Sequence, residues 1–432
     1  MLLHPSFDVN AAGHLTVAGF DACELAEQFG TPAYFLDEDA VRAQCRLYRE
    51  AFRESFGGSS LPAYAGKALC CKKIYSVIAE EGLAADCVSP GELHTAHKAG
   101  FPMEKVFFHG NNKTDEDLRY ALDLGVGHIV VDGWDELCAL EKIAAEKNAR
   151  PRILLRITPG IDPHTHKKIV TGSVDSKFGV AVATGQAFGF VRDALGCSHL
   201  VLDGFHCHVG SQIFDTEPFE DACDIMLAFI AKVRADFGFE AKILNLGGGF
   251  GVRYVEDDPE VDIRGNIARL GAEIDRMCAL YGVEKPAVVM EPGRSVVAAA
   301  GCTLYTCGTV KSIPGFRNYV SVDGGMPDNP RYALYQSRYT IVNASRASAP
   351  ADFPCTVAGR CCESGDLLSE DAVLAEPKRG DVIAVLVTGA YNYSMASNYN
   401  RIPRPPLVLL SKRGAEIAVR RETYEDLTAL DL

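Results

Sequence analysis

Four stretches of the sequence carry side chains that could do chemistry, and each follows a short apolar run. Lys67, in Tyr64-Ala65-Gly66-Lys67-Ala68, puts an amine at the end of a strand-like segment. A charged amine is costly in an apolar setting and burial lowers its pKa, which favours the neutral form that condenses with an aldehyde. The plain alternative is a lysine whose head reaches back to water. Gly247-Gly248-Gly249-Phe250-Gly251 follows the run 243–246. Such a turn offers backbone N–H groups to an anion, or is only tight. It matches neither G-x-G-x-x-G nor a P-loop. His206 and His208 are two apart on a strand-like run and so share a face, with His208-Val209-Gly210-Ser211-Gln212 at its end. No carboxylate or third histidine is close in sequence, so an imidazole that stacks on a ring is preferred to a metal ligand. The pairs His164-x-His166 and His94-x-x-His97 are equally unsupported as metal sites. Glu291-Pro292-Gly293-Arg294 ends the run 287–290. Its carboxylate could keep a heterocyclic nitrogen protonated and its arginine could take a carboxylate or phosphate bidentately; a surface ion pair is the simpler reading.

An amine for an aldehyde, a glycine turn for a phosphate, a flat partner for a ring and an acid for a ring nitrogen are together what pyridoxal 5′-phosphate (PLP) requires. No metal is expected. These residues need a frame that places them at one mouth. Eight strand-like runs, 62–65, 84–88, 105–109, 128–132, 153–157, 202–209, 243–246 and 287–290, alternate with helical patterns such as 115–124 and 134–147. That alternation predicts a (β/α)8 TIM-type barrel, although a doubly wound sheet would alternate in the same way. What favours the barrel is that the runs end in potential ligand residues: Lys67, Asp86 with Ser89, His109, Asp132, Arg156, His208, the glycine turn and Glu291. Barrel enzymes carry their chemistry at the C-terminal ends of strands.

Beyond residue 294 the texture changes. Strand-like runs at 302–312, 319–322, 383–388 and 406–410 are separated by Gly, Pro, Asp and Asn. They predict a mainly β domain over residues 291–432, joined by an N-terminal segment 1–35, with the barrel over 36–290. The 432 residues carry 43 Lys+Arg against 57 Asp+Glu, a net charge of −14. An acidic chain with no basic run is a poor partner for nucleic acid. No apolar run is long enough for a membrane span, and no signal peptide is visible at Met1-Leu2-Leu3-His4-Pro5. The 15 cysteines contain no C-x-x-C, so neither a disulfide scaffold nor a structural zinc is signalled. Buried, reduced thiols in a cytoplasmic protein are expected.

The sequence resembles the PLP-dependent group IV decarboxylases of the alanine-racemase-like fold. The motifs run in order from Gly30-Thr31-Pro32 through Tyr64–Ala68, Ser89-Pro90-Gly91-Glu92-Leu93, His208–Gln212, Gly247–Gly249 and Glu291–Arg294. They continue with Asp323-Gly324-Gly325-Met326, Arg331…Tyr335, Cys362-Glu363-Ser364-Gly365-Asp366 and Gly389-Ala390-Tyr391. Two departures are Tyr332 where the family commonly has proline and Leu69 where asparagine is usual. The resemblance implies that Lys67 carries PLP covalently, His208 stacks on its ring and Glu291 pairs with the ring nitrogen. It assigns the phosphate to Ser211, to Gly247, Gly248 and Gly249, and to the backbone of Glu291, Pro292, Gly293 and Arg294. Arg294, Arg331, Tyr335 and Glu363 match substrate-binding positions, and Tyr391 matches one that touches cofactor and substrate. Cys362 matches the proton donor, on a loop that enters the partner's site in a homodimer. The implied reaction is decarboxylation of meso-2,6-diaminopimelate to L-lysine and CO2, the last step of L-lysine biosynthesis. A related decarboxylase acting on D-lysine, D-ornithine or carboxynorspermidine is the alternative, and a non-catalytic PLP-binding protein a remote one.

Overall fold

The computed structural model describes residues 2–160 and 175–432, and the chain divides into two compact units. One comprises Gln44–Gly251 and Glu260–Gly293; the other comprises Met1–Ala43, Val252–Pro259 and Arg294–Leu432. The chain passes between them inside the helix Glu38–Ser55.

The first unit is the barrel. Its eight parallel strands are Leu61–Ala65, Ala84–Cys87, Val106–Phe108, His128–Val131, Arg152–Thr158, Val201–His206, Ile243–Asn245 and Ala287–Met290. The ring closes where Val289 and Met290 of the eighth strand pair with Leu61 and Pro62 of the first. Strands buried on both faces lose their polar alternation, which is why these runs are near-continuously apolar. One layer of the interior is filled by Ala63, Ala84, Phe107, Val130, Leu154 and Val289. Small residues on strands one and two meet larger ones on strands three, four, five and eight within this layer. The intervening helices start on recognisable caps. Ser89 Oγ accepts the Glu92 N–H ahead of Pro90, and Thr114 with Asp117 forms a capping box for Asp115–Asp123. Strand six stops at His206, short of the expected residue 209, so His208 lies in a loop rather than on a shared strand face. A short strand, Val180–Ala181, adds itself to the edge of strand five.

In the second unit seven strands pair in the order Leu367–Leu374, Phe353–Ala358, Arg317–Val322, Gly301–Ile313, Ala33–Asp37, Leu407–Ser411 and Gly414–Val419. The long strand Gly301–Ile313 is the hub: its first half also pairs with Val382–Leu386, its second half with Arg317–Val322. The N-terminal residues contribute Ala33–Asp37 to this sheet, whereas Phe7–Val9, Leu15–Val17 and Phe20–Asp21 form a three-stranded sheet of their own. No helix among the described residues is long and apolar enough to cross a membrane.

Asp328 sits wholly buried in this unit. Tyr305 donates to its Oδ1 at 2.6 Å, the Gly325 N–H lies 3.3 Å from each carboxyl oxygen, and the Tyr34 hydroxyl donates to its backbone carbonyl. Burial pushes its carboxyl up to about 7, against the pull of those donors. A raised acid binds its proton more tightly folded than unfolded, so its stabilising contribution is complete near pH 4 and is lost as pH rises through about 7. Asp328→Asn should therefore flatten the decline in melting temperature between about pH 4 and pH 7 and leave the slope above that unchanged, as a thermal-unfolding series in pH would show.

Candidate active site

The C-terminal ends of the barrel strands enclose a cavity of about 330 Å3, within the range of small-molecule sites. It is lined by residues from strand ends one, two, three, five, six and eight, among them Lys67, Asp86, His109, Arg156, His206 and Glu291, together with His208.

Lys67 lies in a single helical turn, Gly66–Ala68, directly after strand one. Gly66 is dictated by contact: a Cβ there would stand 2.2 Å from the Tyr75 hydroxyl. The turn is buried on both sides of Lys67, but the lysine side chain is exposed toward the cavity. Of the two readings open in the sequence, a buried amine and one reaching open space, the structure has the second. The backbone is enclosed, and the amine projects into open space that side chains of other strands define.

Glu291 is the best-connected group. Asn245 donates to its Oε1 at 2.6 Å, His109 Nε2 stands 2.9 Å from the same oxygen, and His206 Nε2 is 3.4 Å from Oε2. Burial would raise this carboxyl, but His109 and His206 outweigh it and hold it well below the usual carboxylate range. The two imidazoles respond oppositely. Burial pulls His109 down, yet Glu291 and Asp86, the latter 3.7 Å away, raise it above the ordinary histidine value. For His206 burial wins and the ring is pushed down to about 4. Asp86 is pushed up to about 6 by burial, with His109 opposing and Glu291 reinforcing the shift. In sequence His109, His206 and Glu291 are far apart; in space they bring their ligating atoms within 4.8 Å of one another. With His109 favouring its charged form, this group is an ion-pair cluster. His164 and His166 lie outside the described residues.

His208 is held well below its usual pKa by burial, then by Lys67 and Arg156. Its Nδ1 accepts the Gly248 N–H at 3.2 Å, so the ring is neutral with its proton on Nε2. The glycine turn is explained first by close approach. A Cβ on Gly247 would meet His208 Nδ1 at 2.5 Å; on Gly248, the Glu291 carbonyl at 2.1 Å; on Gly249, the Gly210 carbonyl at 2.7 Å. The Gly247 N–H is already given to Asn245 Oδ1 at 2.9 Å. Ile213 N donates to the Gly249 carbonyl and Gly251 N to the Ile213 carbonyl, zipping the Ser211 loop to the glycine turn. Pro292 and Gly293 clamp the lysine turn in the same way. Ala65 N donates to the Pro292 carbonyl at 3.1 Å, and a Cβ on Gly293 would meet Ala65 Cβ at 2.9 Å. Of the expected cofactor residues, Lys67, His208 and Glu291 line the cavity. Ser211, the three glycines, Pro292 and Gly293 form the interlocked loops beside it.

The remaining expected residues fall in the second unit. Arg294 is buried, donates from Nη1 to the Tyr254 hydroxyl at 2.7 Å and lies 4.7 Å from the Tyr391 ring centre. Arg331, also buried, is 5.5 Å from the same ring and 5.2 Å from that of Tyr335. Cys362 and Glu363 are exposed on a loop held by Asp366, whose carboxylate accepts the N–H groups of Met326 and Cys361. Cys362 N donates to Asn400 Oδ1, and neither residue lines the cavity. Of the 15 cysteines, Cys138 and Cys362 alone are exposed; burial pushes the thiols of Cys70 and Cys71 up to about 12 and about 11. Sequence reasoning noted His109, Asp86 and Arg156 as strand-end residues without giving them work. It missed Asn245, inside an apolar run, and Tyr254, in a loop. The signal for Asn245 was a polar residue inside the apolar run, two positions before the glycine turn.

A Gly248→Ala substitution should cost about 1–3 kcal/mol, because the new methyl must displace the Glu291 backbone. Chemical denaturation would report that loss.

A family model described as the pyridoxal-binding domain of pyridoxal-dependent decarboxylases matches residues 38–298. The chain is 46% identical over 432 residues to the diaminopimelate decarboxylase of Bacillus subtilis (strain 168), covering 100% of this chain and 98% of the relative. It is 40% identical to that of Mycobacterium tuberculosis (strain CDC 1551 / Oshkosh), covering 97% and 95%. Among solved structures it superposes on the diaminopimelate decarboxylase of M. jannaschii with a TM-score of 0.92 at 35% identity, over 100% of this chain and 99% of that one. The same M. jannaschii protein is also solved in co-complex with L-lysine.

Proposed function

The chain belongs to the pyridoxal-dependent decarboxylases, and on that premise we propose that it converts meso-2,6-diaminopimelate to L-lysine and CO2, closing L-lysine biosynthesis. The observation that carries the substrate is similarity over the full length, barrel and β unit alike, to diaminopimelate decarboxylases. The barrel cavity fits the cofactor. An amine, a carboxylate held ionised and a neutral imidazole meet there, and Asp86 Oδ1 is buried without a hydrogen bond.

When bound, PLP supplies an electron-withdrawing ring that accepts the pair released as the Cα–carboxylate bond breaks. Lys67 offers the attaching amine. Glu291, kept ionised by His109 and His206, holds a proton on a ring nitrogen and so strengthens that withdrawal. His208 presents a flat, uncharged imidazole to the ring. Ser211, the turn of Gly247, Gly248 and Gly249, and the backbone of Glu291, Pro292, Gly293 and Arg294 are assigned to the phosphate. Arg294 and Arg331 take substrate carboxylates, Tyr335 and Tyr391 flank them, and Glu363 accepts the distal ammonium. Cys362 delivers the proton to Cα. Cys362 and Glu363, both exposed, are assigned, as in the family the sequence resembles, to the site of a second copy in a homodimer. Fifteen cysteines without a disulfide fit a reducing, cytoplasmic setting.

Purified protein should absorb near the visible edge, and Lys67→Ala should lose both that band and turnover, the latter by roughly three orders of magnitude. Retention of both would overturn the assignment of Lys67. CO2 release should be fastest from meso-diaminopimelate when compared with D-lysine, L-lysine and L-ornithine; a preference for any of the other three would point to the related decarboxylases. Mixing Lys67→Ala with Cys362→Ala chains should restore up to about a quarter of wild-type activity, the share of intact sites under random pairing of a shared-site dimer. No recovery would argue against sharing.

A further inference from the structure

We propose that Tyr254 is a positioning residue for substrate selection, acting through Arg294; this rests on the diaminopimelate reading above. Tyr254 lies in Val252–Pro259, a segment that follows strand seven in the chain yet belongs to the β unit. The segment is pinned around this one residue. The Tyr254 carbonyl accepts both the N–H and the hydroxyl of Thr340, at 3.1 and 2.9 Å. Asp258 Oδ2 accepts the N–H groups of Tyr254 and Val255 at 2.8 and 3.1 Å. The Tyr254 ring meets the Tyr339 ring edge-on at 5.1 Å, and the Tyr339 hydroxyl accepts from Asn392. Backbone, ring and neighbours are therefore fixed, and the hydroxyl that results accepts from Arg294 Nη1 at 2.7 Å.

That hydrogen bond orients a guanidinium whose position matters. Arg294 and Arg331 both face the Tyr391 ring, at 4.7 and 5.5 Å. Arg331 is buried, its Nε has no hydrogen-bond partner, its Nη2 donates to Ser337 Oγ at 3.4 Å, and no carboxylate among the described residues pairs with it. Two like charges gathered on one ring repel, and each can swing unless held. The phenol oxygen of Tyr254 fixes one donor of Arg294, which sets the direction of the remaining fork. A substrate with two carboxylates gains from both forks in place. A substrate with one carboxylate gains less, so loss of the Tyr254 hydroxyl should narrow the preference between the two classes.

The test is Tyr254→Phe in the holoenzyme, which keeps the ring and its packing. We expect KM for meso-diaminopimelate to rise about tenfold, as for loss of a hydrogen bond to a charged group, with kcat within a factor of two. The ratio of kcat/KM for meso-diaminopimelate over D-lysine should fall by a similar factor, with the cofactor absorbance and melting temperature unchanged. Unchanged KM and selectivity in a folded, cofactor-loaded Tyr254→Phe would overturn the proposal, as would a fall in melting temperature without a KM effect. If Phe perturbs folding, Thr340→Val, which removes one of the bonds holding the Tyr254 carbonyl, should raise KM in the same sense by a smaller factor. Failure of the wild type to act on meso-diaminopimelate at all would instead defeat the functional reading on which this rests.

Discussion

Taking a carboxylate out of water costs several kcal/mol unless new partners replace its hydration, and Glu291 meets that demand with groups from three other strands. Asn245 comes from the end of strand seven, His206 from strand six and His109 from just beyond strand three. The ring of strands is what brings them together, and their convergence fixes the shape of the barrel mouth. The two oxygens of Glu291 are unequally served. The closer histidine, reinforced by Asp86, takes the proton, and the farther one stays neutral. The carboxylate thus sits between one imidazole raised toward its charged form and one pushed down toward its neutral form. Asp86 is pushed up to about 6 chiefly by burial, with His109 opposing the shift and Glu291 reinforcing it. A protonated heterocycle brought to Glu291 meets a carboxylate already ionised and already oriented, so little reorganisation remains at the moment of reaction.

The glycines complete this arrangement by letting backbones touch. Gly248 allows the Glu291 carbonyl into its own turn, Gly247 makes room for His208, and Gly293 lets the Glu291 loop lie against the lysine turn. The loops after strands one, six, seven and eight are thereby one solid body, and the groups they carry cannot drift independently. Their N–H groups are partly spent on this internal stitching, at Asn245 and at His208. The phosphate binding proposed above accordingly falls to the interlocked loops together, with Ser211 and the residues after Glu291, rather than to three glycines alone.

Much of this was legible in the sequence for a physical reason. Strands buried on both faces must be apolar throughout, so eight apolar runs stand out, and the polar residue that stops each run marks the rim. Position along the chain was enough to find Lys67, Glu291 and the glycine turn. It was not enough to see that His109, His206 and Glu291 touch, because that contact joins strands three, six and eight and exists only once the ring has closed. Nor could it show that Lys67 is exposed, since the space it enters is made by other strands. Tyr254 was invisible for a different reason. Its segment has no periodicity, and its membership of the β unit follows from bonds to Thr340 and Asp258 that leave no pattern in sequence.

The charge balance of the chain bears on substrate choice. A net charge of −14 sets a repulsive background for a dicarboxylate, yet Arg294 and Arg331 concentrate two cations on the Tyr391 ring. Ring faces are weak counter-ions, worth about 0.5–2 kcal/mol each, so they moderate the repulsion between the guanidiniums without neutralising it. Arg331, with no carboxylate in reach among the described residues, carries the cost of a buried charge in the free protein. A ligand that supplies a carboxylate recovers that cost on binding, and one that lacks it does not. On the substrate proposed above, selectivity for a second carboxylate is stored in the folded state as that deficit, and the Tyr254 hydroxyl on Arg294 Nη1 holds one of the two guanidiniums in place before the substrate arrives.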